Sequence, residues 1–144
     1  MIRGCILLLY DAILIRLAIE DFKERKIQDE YNVGILILAG ISTVFGFGPP
    51  LLSKAIGMFL ISVPMMGIAL IRPGSFGGGD IKLAFASGAF LGWRGVLRGT
   101  ICGFFLAAAY CLWIIFAKKE KKSIQFALGP YLSAGYLLSS ICFW

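Results

Sequence analysis

Histidine is absent from this chain of 144 residues, and charged residues make up only 15% of it. Without imidazole, a zinc site would need an unusual ligand set. The four cysteines, Cys5, Cys102, Cys111 and Cys142, are scattered through apolar stretches and form no CxxC pair. They read as small buried thiols, and no redox compartment follows from them. No metal and no cofactor is implied. The scarcity of charge also excludes an ordinary soluble domain. What remains is apolar: 59% of the residues are hydrophobic and the mean hydropathy is +0.87. Long apolar runs broken by short polar patches predict a polytopic membrane protein, a single integral-membrane domain over residues 1–144.

Six hydrophobic segments are expected. The first, residues 4–20, carries Asp11 and Arg16 and is followed by no small-residue cleavage site, so it reads as a retained helix rather than a signal peptide. The second covers 31–47 and closes at GFGPP; the third covers 51–71 and closes at RPGSFGGG. The fourth, 80–91, rises only about 18 Å as a helix, too little for a hydrocarbon core of about 30 Å. It must be short, tilted or buried among other helices. The fifth covers 95–117 and the sixth 124–144. The expected fold class is therefore all-α, with six hydrophobic helices of which the fourth is short.

A net charge of +6 would suggest nucleic acid in a soluble protein. Here the basic residues sit between apolar runs, where they set orientation, and no nucleic-acid partner is implied. Lys23, Arg25, Lys26, Arg72, Lys82 and the lysines of 118–122 fall on one side; Arg3, Lys54, Arg94 and Arg98 fall on the other. Counting positive charge places the first group in the cytosol and both termini outside.

This topology brings two acids to one depth. Asp21 lies where the first helix leaves the membrane, and Asp80 where the fourth enters from the same side. Paired carboxylates at a membrane boundary are costly unless they share a proton or find partners. A pair sharing a proton supplies a general base and a general acid, as aspartic proteolysis requires. Without side chains, Gly77, Gly78 and Gly79 would let an extended substrate backbone lie against Asp80, and would let the loop take positive φ. A glycine-rich loop followed by aspartate is also an ordinary helix start.

The stretch FGGGDIKLAFASGAFLGW resembles the GxGD segment of the type IV prepilin peptidases, membrane aspartic proteases that trim pilin-like precursors. That family pairs it with an earlier Asp followed by an Ile/Leu-Pro-Asn/Asp triplet; here Asp21 is followed by Ile27, Gln28 and Asp29, with Gln28 in the proline position. SIQFALGPYLSAGYL is similar to the family's C-terminal segment, again with Gln125 where proline is usual. The resemblance implies that Asp21 and Asp80 are the catalytic dyad and that Gly77, Gly78 and Gly79 contact substrate. It further implies a prepilin-like substrate with a short basic leader, cut before its apolar helix at the cytosolic face of the cytoplasmic (inner) membrane. With only about ten residues after its first helix, the chain resembles the minimal peptidase core of pilus and competence systems, lacking the larger members' cytosolic domain.

Other acids and bases have blander readings. Asp11 lies about 15 Å along the helix from Asp21, too deep to pair with Asp80. It is expected to meet a buried base, with Lys54 and Arg98 the candidates. Glu20 points about 100° away from Asp21 and is expected to be solvated. Lys82 either biases Asp80 or is a topogenic charge. Gly88, Gly92 and the alanines around them suggest close helix packing. The rival class is a small transporter with an ion path through Asp11, Asp21 and Asp80; a third is a catalytically idle assembly component.

Overall fold

The breaks between helices fall where the chain can leave helical geometry. A computed structural model describes residues 1–24, 28–118 and 127–143. It contains five helices: α1 (Ile2–Glu24), α2 (Asp29–Val44), α3 (Leu51–Ile71), α4 (Gly78–Lys118) and α5 (Gly129–Phe143). Arg25, Lys26, Ile27, Gln125 and the lysines at 119, 121 and 122 lie outside the described residues. After α3 the sequence Arg72-Pro73-Gly74-Ser75 reverses the chain. The Ser75 N–H donates to the Arg72 carbonyl at 3.2 Å, and Gly74 takes φ of 91°. Proline second and a positive-φ glycine third are the requirements of a type II turn.

The decisive break lies inside α4. Gly92 adopts φ 73° and ψ 177°, a conformation that side chains with a Cβ rarely take. Phe76, just ahead of α4, lies 6.3 Å from Phe104 between ring centroids; a straight helix would hold them about 42 Å apart. The helix therefore folds back at Gly92 into an N-terminal arm, 78–91, and a C-terminal arm, 93–118. These arms coincide with the fourth and fifth segments expected from the sequence.

Against the expectation of six crossings, two helices among the described residues are long and apolar enough to span a membrane: α3 and the stretch Gly78–Ala117. The other three differ for simple reasons. α2 and α5 have 16 and 15 residues, about 24 and 22 Å of helix, and α1 carries charges within its length. Many outward side chains are large and apolar, Leu70, Ile71, Phe105 and Phe116 among the most exposed of them. The chain is a helical membrane protein.

Close packing organises the bundle. A Cβ on Gly88 would lie 2.2 Å from the Gly57 carbonyl oxygen, and one on Gly135 would lie 2.1 Å from that of Gly99. Backbone therefore meets backbone where α3 crosses the N-terminal arm of α4 and where α5 crosses its C-terminal arm, as small residues permit in membranes. The cysteines correct an expectation: Cys5, Cys102 and Cys142 are exposed and Cys111 half-buried. In a bilayer the outward surface is apolar, so a thiol gains nothing by turning inward. Lys54 is buried but does not serve Asp11. Its ammonium donates to Ser42 Oγ and Thr43 Oγ1 at 2.7 Å and to the Ala39 carbonyl at 3.4 Å, pinning α3 to the C-terminal end of α2.

Candidate active site

Tyr10, Leu14, Leu17 and Asp21 are buried on α1. Steps of four, three and four residues put them on one stripe of the helix. The N-terminal arm of α4 answers with Asp80, Leu83, Ala84, Ser87 and Phe90, also buried. The two stripes meet where the rings of Tyr10 and Phe90 stack, 4.2 Å apart and 13° from parallel. From that contact Asp21 lies about 16 Å further along α1, and Asp80 about 15 Å back along α4. The helices run antiparallel, so the acids arrive level; parallel helices would leave them about 30 Å apart. Asp21 is near enough to act electrostatically on Asp80. Both are buried, at 5% and 7% exposure.

Local backbone fixes Asp80. It sits in the first turn of α4, where its N–H donates to the Gly77 carbonyl at 3.1 Å and its carboxyl accepts from the Gly77 N–H. An acid reaching back to the residue that opens its helix is half of a capping box. The ordinary helix-start reading of this string is thus correct as geometry, and it is also what aims the carboxyl. A Cβ on Gly77 would stand 3.2 Å from Asp80 Oδ2, whereas one on Gly78 would meet nothing within 4 Å. The positive φ expected within 77–79 lies instead at Gly74; Gly78 and Gly79 already belong to the helix.

The first turn of α2 grips both acid-bearing segments. Tyr31 donates its hydroxyl hydrogen bond to Glu20, the neighbour of Asp21, so Glu20 is half-buried and engaged rather than solvated. Lys82 donates to both oxygens of Asp29 at 2.8 Å, which gives it a partner other than Asp80. Asn32 was invisible as a site residue in the sequence. It is 5% exposed, and neither its amide nitrogen nor its amide oxygen has a partner. The signal available was a polar residue heading the buried stripe Asn32, Ile35, Leu38, Ala39 and Ser42.

Asp11 stands apart. It accepts a 2.6 Å hydrogen bond from Ser140 of α5 rather than pairing with Lys54, and its neighbour Tyr10 marks the Phe90 level, at the far end of the arm from Asp80. Neither a curated protein nor a solved structure matches the chain. The model of the type IV leader peptidase family matches residues 8–112, a span that holds both Asp21 and Asp80. On that match, over most of its length, the chain belongs to the type IV leader peptidase family.

Proposed function

We propose that this protein is a membrane aspartic endopeptidase that removes the short basic leader from prepilin-like precursors, with Asp21 and Asp80 as its catalytic pair. The observation that supports the reading is the placement of two buried acids at one level on α1 and α4, with Asp21 near enough to act electrostatically on Asp80. Two acids so placed hold one proton between them at lower cost than two charges. The ionised carboxylate takes a proton from water as the water oxygen bonds the scissile carbonyl carbon. The protonated carboxyl donates to the carbonyl oxygen as its negative charge develops. Collapse of the tetrahedral species breaks the C–N bond, and a carboxyl proton goes to the leaving nitrogen. The open space over Gly78 gives an extended substrate backbone room beside Asp80. Lys23, Arg72 and Lys82 set this end of the molecule in the cytosol, so cleavage takes place at the cytosolic face of the cytoplasmic membrane.

Co-expression with a prepilin tests the reading. The native chain and the Asp11→Asn variant should release the leader, while Asp21→Asn and Asp80→Asn should slow release by at least about a thousandfold. Leader removal that survives either of the last two changes refutes the dyad. A requirement for Asp11 as well would favour the ion-path reading.

A further inference from the structure

We infer that a cleft at the end of the bundle opposite the candidate dyad binds a phosphate group among Arg3, Arg94 and Arg98, and that an anionic phospholipid supplies it. This site stands whether or not the protein is a protease. Its place follows from the stacked rings of Tyr10 and Phe90. Asp21 lies to one side of that stack; Arg3 lies about 10 Å to the other side along α1, and the fold-back at Gly92 comes just past Phe90. The fold-back packs on the loop joining α2 to α3, since a Cβ on Gly92 would stand 2.6 Å from Ser53 Oγ and 2.9 Å from Pro49 Cγ. Ser139 of α5 donates to the Gly95 carbonyl at 2.8 Å, which fixes a further wall. The cleft between these elements encloses about 730 Å³ and is lined by the three arginines, Ser53 and Ser139, a size that suits a small ligand or a headgroup.

The charges in this cleft call for an anion. Arg94 and Arg98 stand one turn apart on the C-terminal arm of α4, a spacing at which like charges repel, and Arg3 of α1 adds a third. No acid is among the described residues that line the cleft. Orientation does not account for them: Lys23, Arg72 and Lys82 already gather at the dyad's end, and charge bias favours basic residues on one side only. All three arginines are exposed. The Arg94 guanidinium lies over the Trp93 ring, 5.2 Å from its centroid, which holds its plane and leaves its N–H edge to donate. Arg3 and Arg98 make further contacts within the fold, but a guanidinium carries five N–H donors, more than one contact uses. A carboxylate offers two coplanar oxygens that one fork saturates, whereas the oxygens of a phosphate point apart and accept from several forks. Val44, Phe45, Leu51 and Leu52 flank the same loop and are 56–84% exposed. An anchored phosphate beside them lets acyl chains cover apolar surface, which a free phosphate cannot do.

The test uses the full chain, stripped of lipid in a neutral detergent and held at constant ionic strength. Phosphatidylglycerol, phosphatidylcholine and inorganic phosphate are added separately, and thermal midpoints and bound lipid by native mass spectrometry are measured. Saturating phosphatidylglycerol should raise the midpoint by about 5 °C or more, with phosphatidylcholine doing much less. Changing Arg94→Gln and Arg98→Gln together should weaken phosphatidylglycerol binding at least about tenfold. Without lipid, the midpoint of that variant should stay within about 2 °C of the native value, because both side chains are exposed. Arg3→Gln, on a different helix, should weaken binding at least about threefold. Arg72→Gln, at the dyad's end, should not. Equal shifts from inorganic phosphate and from the lipid would support the phosphate site and overturn its assignment to lipid. Binding that survives the loss of Arg94 and Arg98, or that falls as much in Arg72→Gln, overturns the inference.

Discussion

Lys82 of α4 holds both carboxylate oxygens of Asp29 at 2.8 Å, joining residues far apart in the sequence beside the candidate dyad. The same turn of α2 reaches α1 through Tyr31 and Glu20. One helical turn thus holds the last turns of α1, which carry Asp21, and the first turn of α4, which carries Asp80. The stack of Tyr10 on Phe90 sets the register at the other end of the arm. Two fixed points on each helix define how far apart the acids sit, whereas either alone would let the helices pivot.

This arrangement predicts a separation of activity from stability. The Lys82–Asp29 pair is exposed, at 57% and 66% for the two side chains, and such pairs contribute only about 0–1 kcal/mol. Lys82→Met should therefore leave the thermal midpoint nearly unchanged, and Tyr31→Phe should cost no more than about 1–3 kcal/mol, the contribution of one part-buried hydrogen bond to a carboxylate. Each should lower kcat about three- to tenfold by loosening the dyad, a shift in geometry being enough for such losses. Steady-state kinetics and calorimetry on the same preparations decide it. A fall in midpoint that matches the fall in activity would mean the turn only holds the fold together.

Lys54 offers a test of asymmetry. Ser42 Oγ and Thr43 Oγ1 accept from its ammonium while donating to the Ala39 carbonyl at 2.8 Å. Removing the lysine leaves both hydroxyls with a partner; removing the hydroxyls leaves a buried cation with one long bond to Ala39. Lys54→Met should cost less than about 1 kcal/mol, and Ser42→Ala with Thr43→Val about 3 kcal/mol or more, since an orphaned buried charge costs more than a deleted pair. Chemical unfolding in detergent measures the two, and equal losses would contradict the argument.

The crossing of α3 and α4 is a third place to look. Gly57 and Gly88 face each other, and a Cβ on either would stand 2.6 Å or less from the other's carbonyl oxygen. Gly88→Ala should destabilise by about 1–3 kcal/mol, the usual cost of overpacking. Gly40→Ala, at a position where a Cβ meets nothing within 4 Å, should be silent or slightly stabilising, as glycine is a poor helix former. Thermal unfolding of the two variants, both changing glycine to alanine within a helix, isolates the contact from the chemistry of the substitution.

Apolar runs and polar breaks made the helices legible, and Gly92, expected to serve close packing, is also the point where the fourth and fifth segments part, with φ of 73°. The depth match of Asp21 and Asp80 could be argued from charge counting, since a membrane reduces position along its normal to position along the chain. Partners across helices were another matter. Glu20 looked solvated because helix rotation says where a side chain points and not what waits there; Tyr31 of α2 does. Asp11 was matched to Lys54 because its charge suggested a base, yet Ser42 and Thr43 of α2 hold that lysine, and Asp11 accepts from Ser140 of α5. The cysteines were assigned inward by a rule learned in water, which a bilayer inverts. Asn32 lay unread because a polar residue early in a helix is unremarkable until its burial and its lack of a protein partner are seen.

Gly77 and Gly78 allow the role of the loop to be divided between holding Asp80 and admitting substrate. A methyl on Gly77 would press on Asp80 Oδ2 from 3.2 Å, tighter than ordinary contact, so Gly77→Ala should turn the carboxyl and lower kcat, by about tenfold if the shift is a few tenths of an ångström. A Cβ on Gly78 meets no atom of the protein within 4 Å. Gly78→Val should therefore fold normally, with its thermal midpoint lowered by no more than the small helix propensity difference allows. Any loss of cleavage in that variant has to come from what occupies the space during the reaction. If an extended substrate backbone lies there, KM rises with little change in kcat, opposite to the pattern at Gly77. Wild-type kinetics in Gly78→Val would place the substrate elsewhere and leave the glycines with a purely local role at the start of α4.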